Sequence, residues 1–239
     1  MSTLIPFAEA NHDPSGHPLD NLAWTALTGP HSLMAERYGR AARYPVDVAP
    51  FAALEDPDDP GAWADLASLI GPGAVTFLPG VTRAPAGWTV VQAIPGVEMV
   101  GENVRGTTDP EASRLGLQDT ADMLGLVARA QPGPFKERTV TLGAYFGIWY
   151  QGRLVAMAGE RLRGSGWTEI SAVCTDPSHR GRGLAGRLVR TVAAHIQERG
   201  DTPFLQAAAV NSGAIRLYSS LGFTMRRHTQ FTAVSTPRR

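Results

Sequence analysis

The residues with the clearest chemical potential lie between Glu169 and Gly186. A strand-like run ends at Thr175 and a proline-containing turn follows. Arg180-Gly181-Arg182-Gly183-Leu184-Ala185-Gly186 then opens an amphipathic stretch. Glycine permits tight backbone turns and lets amides approach a ligand closely. The first N–H groups of a helix lack internal partners, and the helix dipole favours anions there. Arg180 and Arg182 add fixed forks of donors suited to phosphate oxygens. This combination predicts a pyrophosphate cradle.

Gly181-Arg182-Gly183-Leu184-Ala185-Gly186 also fits the dinucleotide fingerprint G-x-G-x-x-G. Three features argue against that reading. Residues Asp176 to Arg180 separate the strand from the first glycine, whereas the fingerprint follows its strand closely. No acidic residue closes the next strand, which ends at Val210-Asn211. Only 58 residues follow Gly181, too few for the remaining strands of such a fold. A Walker A loop is excluded because the segment has no lysine.

The elements that must hold this loop are readable on its carboxyl-terminal side. Leu117–Ala130 is amphipathic, with Asp119 or Thr120 near its start. Thr139–Tyr150 and Arg153–Leu162 read as strands joined by Gln151-Gly152, a hairpin signal. Trp167–Thr175 is a strand. Leu184–Glu198 places Leu184, Leu188, Val189, Val192 and Ile196 on one face and stops at Gly200. Pro203–Val210 is a strand, Ser212–Leu221 a short helix, and Phe223–Val234 one bent strand or two. The amino-terminal side is less patterned. Residues 1–20 read as a polar lead-in, 21–44 as helix-like spacing broken at Gly29-Pro30, and the proline-rich 45–61 as loop. A short helix at Trp63–Ile70 and strands at Ala74–Leu78 and Trp88–Ala93 follow. The polar stretch 101–112 marks a loose boundary.

Composition limits the function classes. The 239 residues carry 22 basic and 22 acidic side chains, which excludes a globally basic nucleic-acid coat. The sum hides a segregation: residues 1–130 carry 7 basic and 16 acidic groups, and residues 131–239 carry 15 and 6. A basic second half implies a phosphorylated ligand or docking against the acidic half. One cysteine, Cys174, rules out an internal disulfide and a Cys-rich zinc site, and the six histidines show no metal spacing. There is no secretory signal and no apolar run of membrane-spanning length, so a soluble cytoplasmic protein is expected.

Two further motifs join the glycine loop. Arg180 to Ala185 reads R-x-x-G-x-A, and Asn211 to Phe223 reads N-x-x-A-x-x-L-Y-x-x-L-G-F. In this order, separated by one helix and one strand, they resemble the GNAT superfamily of acyl-coenzyme A dependent N-acyltransferases. The resemblance covers roughly residues 98–239. It leaves 1–97 as an additional α/β region, a candidate degenerate unit of the same fold. It implies an α/β (α+β) architecture: a mixed, mostly antiparallel sheet, splayed between two central parallel strands and flanked by helices.

The resemblance also implies roles. Acetyl-CoA is the expected co-substrate, with no metal. The backbone of Val173, Cys174 and Thr175 would pair with the pantetheine arm and polarise the thioester carbonyl. Arg180, Gly181, Arg182, Gly183, Leu184 and Ala185 would hold the pyrophosphate. Asn211 would bond the pantetheine arm or cap its own helix. Tyr218 would protonate the leaving thiolate or pack in the core. Glu169, eleven residues before Arg180, is the candidate base, with Glu160 as second choice. Simple alternation would put Glu169, Ser171, Val173 and Thr175 on one face. Cys174 reads as a small buried hydrophobe rather than a nucleophile. The expected reaction is direct acetyl transfer to a primary amine on a small molecule or peptide. A silent CoA-binding regulator and a nucleic-acid binder are the alternatives. A homodimer is compatible with the resemblance. By the resemblance, the variable early helix, the loops around Pro132–Arg138 and the carboxyl-terminal strands are the expected acceptor walls.

Overall fold

The computed structural model describes residues 16–238. In chain order the elements are α1 (Leu22–Thr28), β1 (Glu36–Tyr38), β2 (Ala41–Arg43), β3 (Ala52–Leu54), α2 (Pro60–Ile70), β4 (Val75–Pro79), β5 (Thr89–Val100) and β6 (Ser113–Leu115). They continue with α3 (Thr120–Ala130), β7 (Tyr145–Tyr150), β8 (Arg153–Gly164), β9 (Trp167–Thr175), α4 (Leu184–Glu198), β10 (Thr202–Ala208), α5 (Ser212–Ser220) and β11 (Thr224–Ser235). Short 3-10 turns fill several junctions. No helix among the described residues is long and apolar enough to cross a membrane.

Eight strands form one sheet in the order β4-β11-β5-β10-β9-β8-β7-β6, and β1-β2-β3 form a small antiparallel sheet of their own. Every neighbouring pair in the large sheet is antiparallel except β9 and β10. Apolar stripes at helical spacing bury α4 and α5 on one face, with Leu188, Val189, Val192 and Ile196 against Ile170, Val97 and Leu205. On the other face α1 packs with Tyr44, Phe51 and Phe204. There α3 also packs Met123 and Leu126 against Tyr145, Met157 and Cys174. The result is three layers, helix–sheet–helix.

Several expectations need correction. The stretch 21–61 contains the three strands β1–β3 as well as α1, because Ala41, Ala42, Ala52, Ala53 and Leu54 are buried between the helices. The strand expected from Thr139 starts only at Tyr145. Thr139–Leu142 is a 3-10 turn, tied down by Arg138 N–H to the Asp47 carbonyl (2.9 Å) and Thr139 Oγ1 to the Val48 carbonyl (2.6 Å). The boundary between residues 97 and 98 falls inside β5, whose register with β11 runs from Thr89 to Val100. Residues before that point also enter the sheet through β4, which pairs with β11.

The opposite charges of the two halves meet at specific pairs. Arg226 and Arg227 both reach Glu98, which is fully buried on β5, and both reach Asp20 (2.7 Å each). A register shift between Met225 and Arg227 puts these neighbouring side chains on one face. Arg138 pairs with Asp47, and Arg187 with Asp109 and Glu111.

His31 sits in the same interface, 5% exposed and 2.8 Å from the Tyr44 hydroxyl. Burial, aided by the Arg163 charge, pulls its pKa down to about 4. The unfolded chain therefore binds a proton more readily than the native one, and stability falls as pH drops from 6.5 towards 4. The full effect is about 3 kcal/mol. We predict that His31→Gln flattens this limb of a denaturant-unfolding series across pH 4–7. An unchanged slope would show that another group carries it.

Candidate active site

Strands β9 and β10 pair in parallel for only a short distance. The register runs from Trp167 opposite Thr202 to Ile170 opposite Leu205. Beyond it β9 continues to Thr175 against β8, and β10 to Ala208 against β5. The facing edges of Ser171–Thr175 and Gln206–Ala208 are thus not paired with each other. Unpaired strand edges present N–H and C=O groups that seek a partner. The gap is a wedge between the two strands.

The strand bends where the wedge opens. Ala172 has φ +53°, in the left-handed region, and the β8 register passes from Gly159–Ser171 to Met157–Cys174. One extra residue on β9 makes a bulge. A non-glycine residue in this conformation costs about 1–2 kcal/mol. The bulge also corrects the expected alternation. Glu169, Ser171 and Cys174 share one face, whereas Val173 packs on the α4 side with Ile170.

The turn after β9 is pinned by Asp176. Its Oδ1 accepts from Ser178 N–H (3.1 Å) and Ser178 Oγ (2.7 Å), and its Oδ2 from Arg129 (2.7 Å) and Arg153 (3.0 Å). These bonds, led by Ser178 and Arg129, hold its pKa well below the usual carboxylate range. Gly181 and Gly183 then adopt φ +76° and +73°, with nothing near a would-be Cβ. They are there for backbone shape, not for lack of room. Gly183 is also the N-cap of α4 and offers no side chain to the first helical amides. A Ser, Thr, Asp or Asn at this point would satisfy one of them. Arg180 and Arg182 are exposed, and among the described residues no carboxylate bridges either one. Uncapped amides and two guanidinium groups without acidic partners among the described residues thus stand together at the start of α4.

Asn211 Oδ1 accepts from Ala214 N–H (3.1 Å), so it caps α5, and its amide nitrogen remains available. Tyr218 on α5 is buried, edge-on to Phe223 with centroids 6.1 Å apart. Burial, with the nearby Cys174, pushes its pKa up to about 12, so the hydroxyl keeps its proton at neutral pH. Cys174 is buried and its thiol is likewise pushed up to about 12 by burial, which suits a packing residue.

The two glutamates are engaged. Glu169, 1% exposed, receives a two-pronged contact from Arg161, Nε at 2.7 Å and Nη2 at 2.5 Å. Arg161 in turn lies over the Phe51 ring at 4.8 Å. Glu160 accepts from Arg199 (2.8 Å) and from Ala144 N–H (3.2 Å). Sequence reasoning missed Arg161, Asp176 and the Ala172 bulge. Arg161 reaches Glu169 across the β8–β9 turn, Asp176 draws on Arg129 and Arg153 from other elements as well as on Ser178, and no local motif marks the bulge.

The FR47-like protein family matches residues 145–232. A mycothiol acetyltransferase from Thermobispora bispora is 44% identical over 57 residues, 23% of this chain. The match spans only 19% of that relative. A GCN5-related N-acetyltransferase from Kribbella flavida shares the fold, with TM-score 0.59 and 20% identity over 91% of this chain and 95% of that one. A protein from Novosphingobium aromaticivorans, placed in the GNAT family of acetyltransferases, superposes with TM-score 0.83. It is 39% identical, over 92% of this chain and 99% of that chain. An identity of this size over nine-tenths of the chain, on a sheet parted at β9 and β10, makes the chain a member of the GNAT family of acyl-CoA dependent acyltransferases.

Proposed function

We propose that the protein transfers an acetyl group from acetyl-CoA to a primary amine by direct attack within a ternary complex. The observation that carries this reading is the uncapped start of α4, with Arg180 and Arg182 unpaired among the described residues, after the strand that parts from β10. When bound, acetyl-CoA supplies an activated acyl thioester. The amides of Gly181–Ala185 and the two arginines would hold its diphosphate. Val173, Cys174 and Thr175 would pair with the pantetheine arm from the free edge of β9. The bulge at Ala172 re-aims the amides that follow it, which fits them to stabilise negative charge on the carbonyl oxygen. Asn211 offers its free amide nitrogen to the same arm.

Tyr218 is the group we assign to protonate the leaving thiolate. Its raised pKa keeps the proton in place until sulfur charge develops. Glu169 has both carboxylate oxygens on Arg161. This geometry favours Glu169 as the anchor of a buried ion pair over a group that accepts the amine proton. Solvent then takes that proton.

Three outcomes test the reading. Acetyl-CoA at a hundred times its Kd should stabilise the fold by about 2.7 kcal/mol, visible as a rise in Tm. Arg180→Ala combined with Arg182→Ala should abolish that rise, and a wild-type protein with no shift would end the proposal. Tyr218→Phe should lower kcat by about a hundredfold with little change in acetyl-CoA affinity, measured as thiol release with a panel of amines. Equal losses in kcat and affinity would make Tyr218 a packing residue. Glu169→Gln should destabilise the fold by about 3–5 kcal/mol by stranding the Arg161 charge, and Glu169→Gln with Arg161→Met should recover much of it. If the double variant folds but loses the acid limb of the pH–rate profile, Glu169 is the base after all.

A further inference from the structure

Two side-chain oxygens stand where the wedge opens, and the proposed donor site uses neither. Pairing between β9 and β10 ends at Ile170 opposite Leu205, so Ser171 and Gln206 come next on the parting strands. Ile170, Leu205 and Ala207 point into the core beneath α4. By alternation Ser171 and Gln206 both project to the other face, the one covered by α1 and α3. Their strand partners agree. Gln206 lies opposite Glu98 of β5, and Ser171 opposite Gly159 of β8. The Tyr145 ring of the α3 layer occupies the space that a Cβ on Gly159 would fill.

Neither oxygen is spent. Gln206 Nε2 donates to Glu98 Oε2 (3.1 Å). A carboxylate only accepts, so the amide nitrogen faces it and Oε1 is directed away. Arg226 (2.6 Å) and Arg227 (3.1 Å) hold Glu98 in turn, which fixes the amide. Among the described residues, neither Gln206 Oε1 nor Ser171 Oγ has a protein partner, and both residues are partly exposed. In the same layer the Tyr145 hydroxyl is buried and also lacks one. A crevice of about 10 Å³, lined by Leu19, Leu162, Phe204 and Gln206, has room for one water-sized group. An amino group is of that size.

The opposite face is filled by the apolar side chains of α4 and α5, so an acceptor must approach from this one. The carboxylates here are already matched, Glu98 by two arginines and Glu169 by Arg161. The oxygens left at the opening are neutral. A neutral primary amine has two N–H donors and one lone pair. Two neutral oxygens can take both hydrogens and leave the lone pair free. They do so without favouring the unreactive ammonium form, as an unpaired carboxylate would.

We propose that Ser171 Oγ and Gln206 Oε1 clamp the two N–H groups of the acceptor and make the enzyme specific for primary over secondary amines. The inference rests on the acetyl-transfer reading and names what selects the acceptor. The nitrogen lone pair attacks the thioester carbon and the carbon–sulfur bond breaks. The thiolate takes the Tyr218 proton, and the amine releases one proton to solvent, which restores Tyr218. A secondary amine has one N–H and leaves one oxygen of the clamp unmet.

Thiol release from acetyl-CoA, corrected for hydrolysis, tests this with methylamine and dimethylamine at equal free-base concentration. Wild type should favour methylamine in kcat/KM by about tenfold or more, the worth of one hydrogen bond. Gln206→Met and Ser171→Ala should each lower kcat/KM for methylamine about tenfold and affect dimethylamine less, so the preference collapses. The rise in Tm with acetyl-CoA should be unchanged in both. Ser171→Thr, which keeps a hydroxyl, should restore much of the rate. A merely structural role would slow both amines together. Ser171→Ala decides the matter if Gln206→Met disturbs the Glu98 pairs. If the variants keep the preference, or wild type binds acetyl-CoA but uses the two amines alike or uses neither, the clamp is wrong and the donor site stands. If wild type shows no rise in Tm with acetyl-CoA, both fail.

Discussion

Two parallel strands that pair over Trp167–Ile170 and then part create the constraint on which the site depends. Parting leaves backbone groups on both edges without their usual partners. It is tolerable only because each strand keeps its other neighbour: β8 for β9, and β5 for β10. The bulge at Ala172 gives the separation its direction. The residue that bends the strand also shifts which side chains face each layer, so Cys174 goes into the α3 core and Val173 to the α4 side. The glycine loop follows this opening because β9 delivers the chain to it. Asp176 then turns it into α4 through four hydrogen bonds.

The charge segregation has a double use. Asp20, Asp47, Glu98, Asp109 and Glu111 neutralise Arg138, Arg187, Arg226 and Arg227 across the two halves. Most of these pairs are partly exposed and individually worth little. Glu98 is different: fully buried, it needs its two guanidinium partners, and removing either leaves an uncompensated charge. What the pairing omits is as telling as what it includes. Among the described residues, Arg180 and Arg182 have no acidic partner at the position where the backbone also lacks caps.

The features legible in the sequence are those written in neighbouring residues. The glycine loop, the stripe Leu184–Ile196, the hairpin at Gln151-Gly152 and the Asn211 cap all follow from local turn chemistry or helical spacing. The parallel pair and the splayed sheet came from the resemblance carried by two motifs. What stayed hidden was set by distant partners. Ala41–Arg43 and Ala52–Leu54 are too short and alanine-rich to show a strand period, and only packing against α1 and α2 makes them strands. Thr139–Leu142 reads as an apolar strand until its bonds to Asp47 and Val48 are counted. Ala172 gives no warning of its left-handed backbone, because nothing in a short Ser-Ala-Val run demands a bulge. Glu169 looks like a strand carboxylate free to act, and only the fold brings Arg161 onto it.

The interleaving of β5 between β10 and β11 has a consequence for biosynthesis. Strand β5 ends at Val100, but its two neighbours begin only at Thr202 and Thr224. At ribosomal speeds, roughly ten seconds pass between completing β5 and completing β11. Until β10 emerges, a long strand with the apolar residues Val97, Met99 and Val100 has both edges bare, and one edge stays bare until β11 follows. Such a segment invites pairing with other nascent chains, so the emerging polypeptide is a natural client for holding chaperones until its final strand arrives.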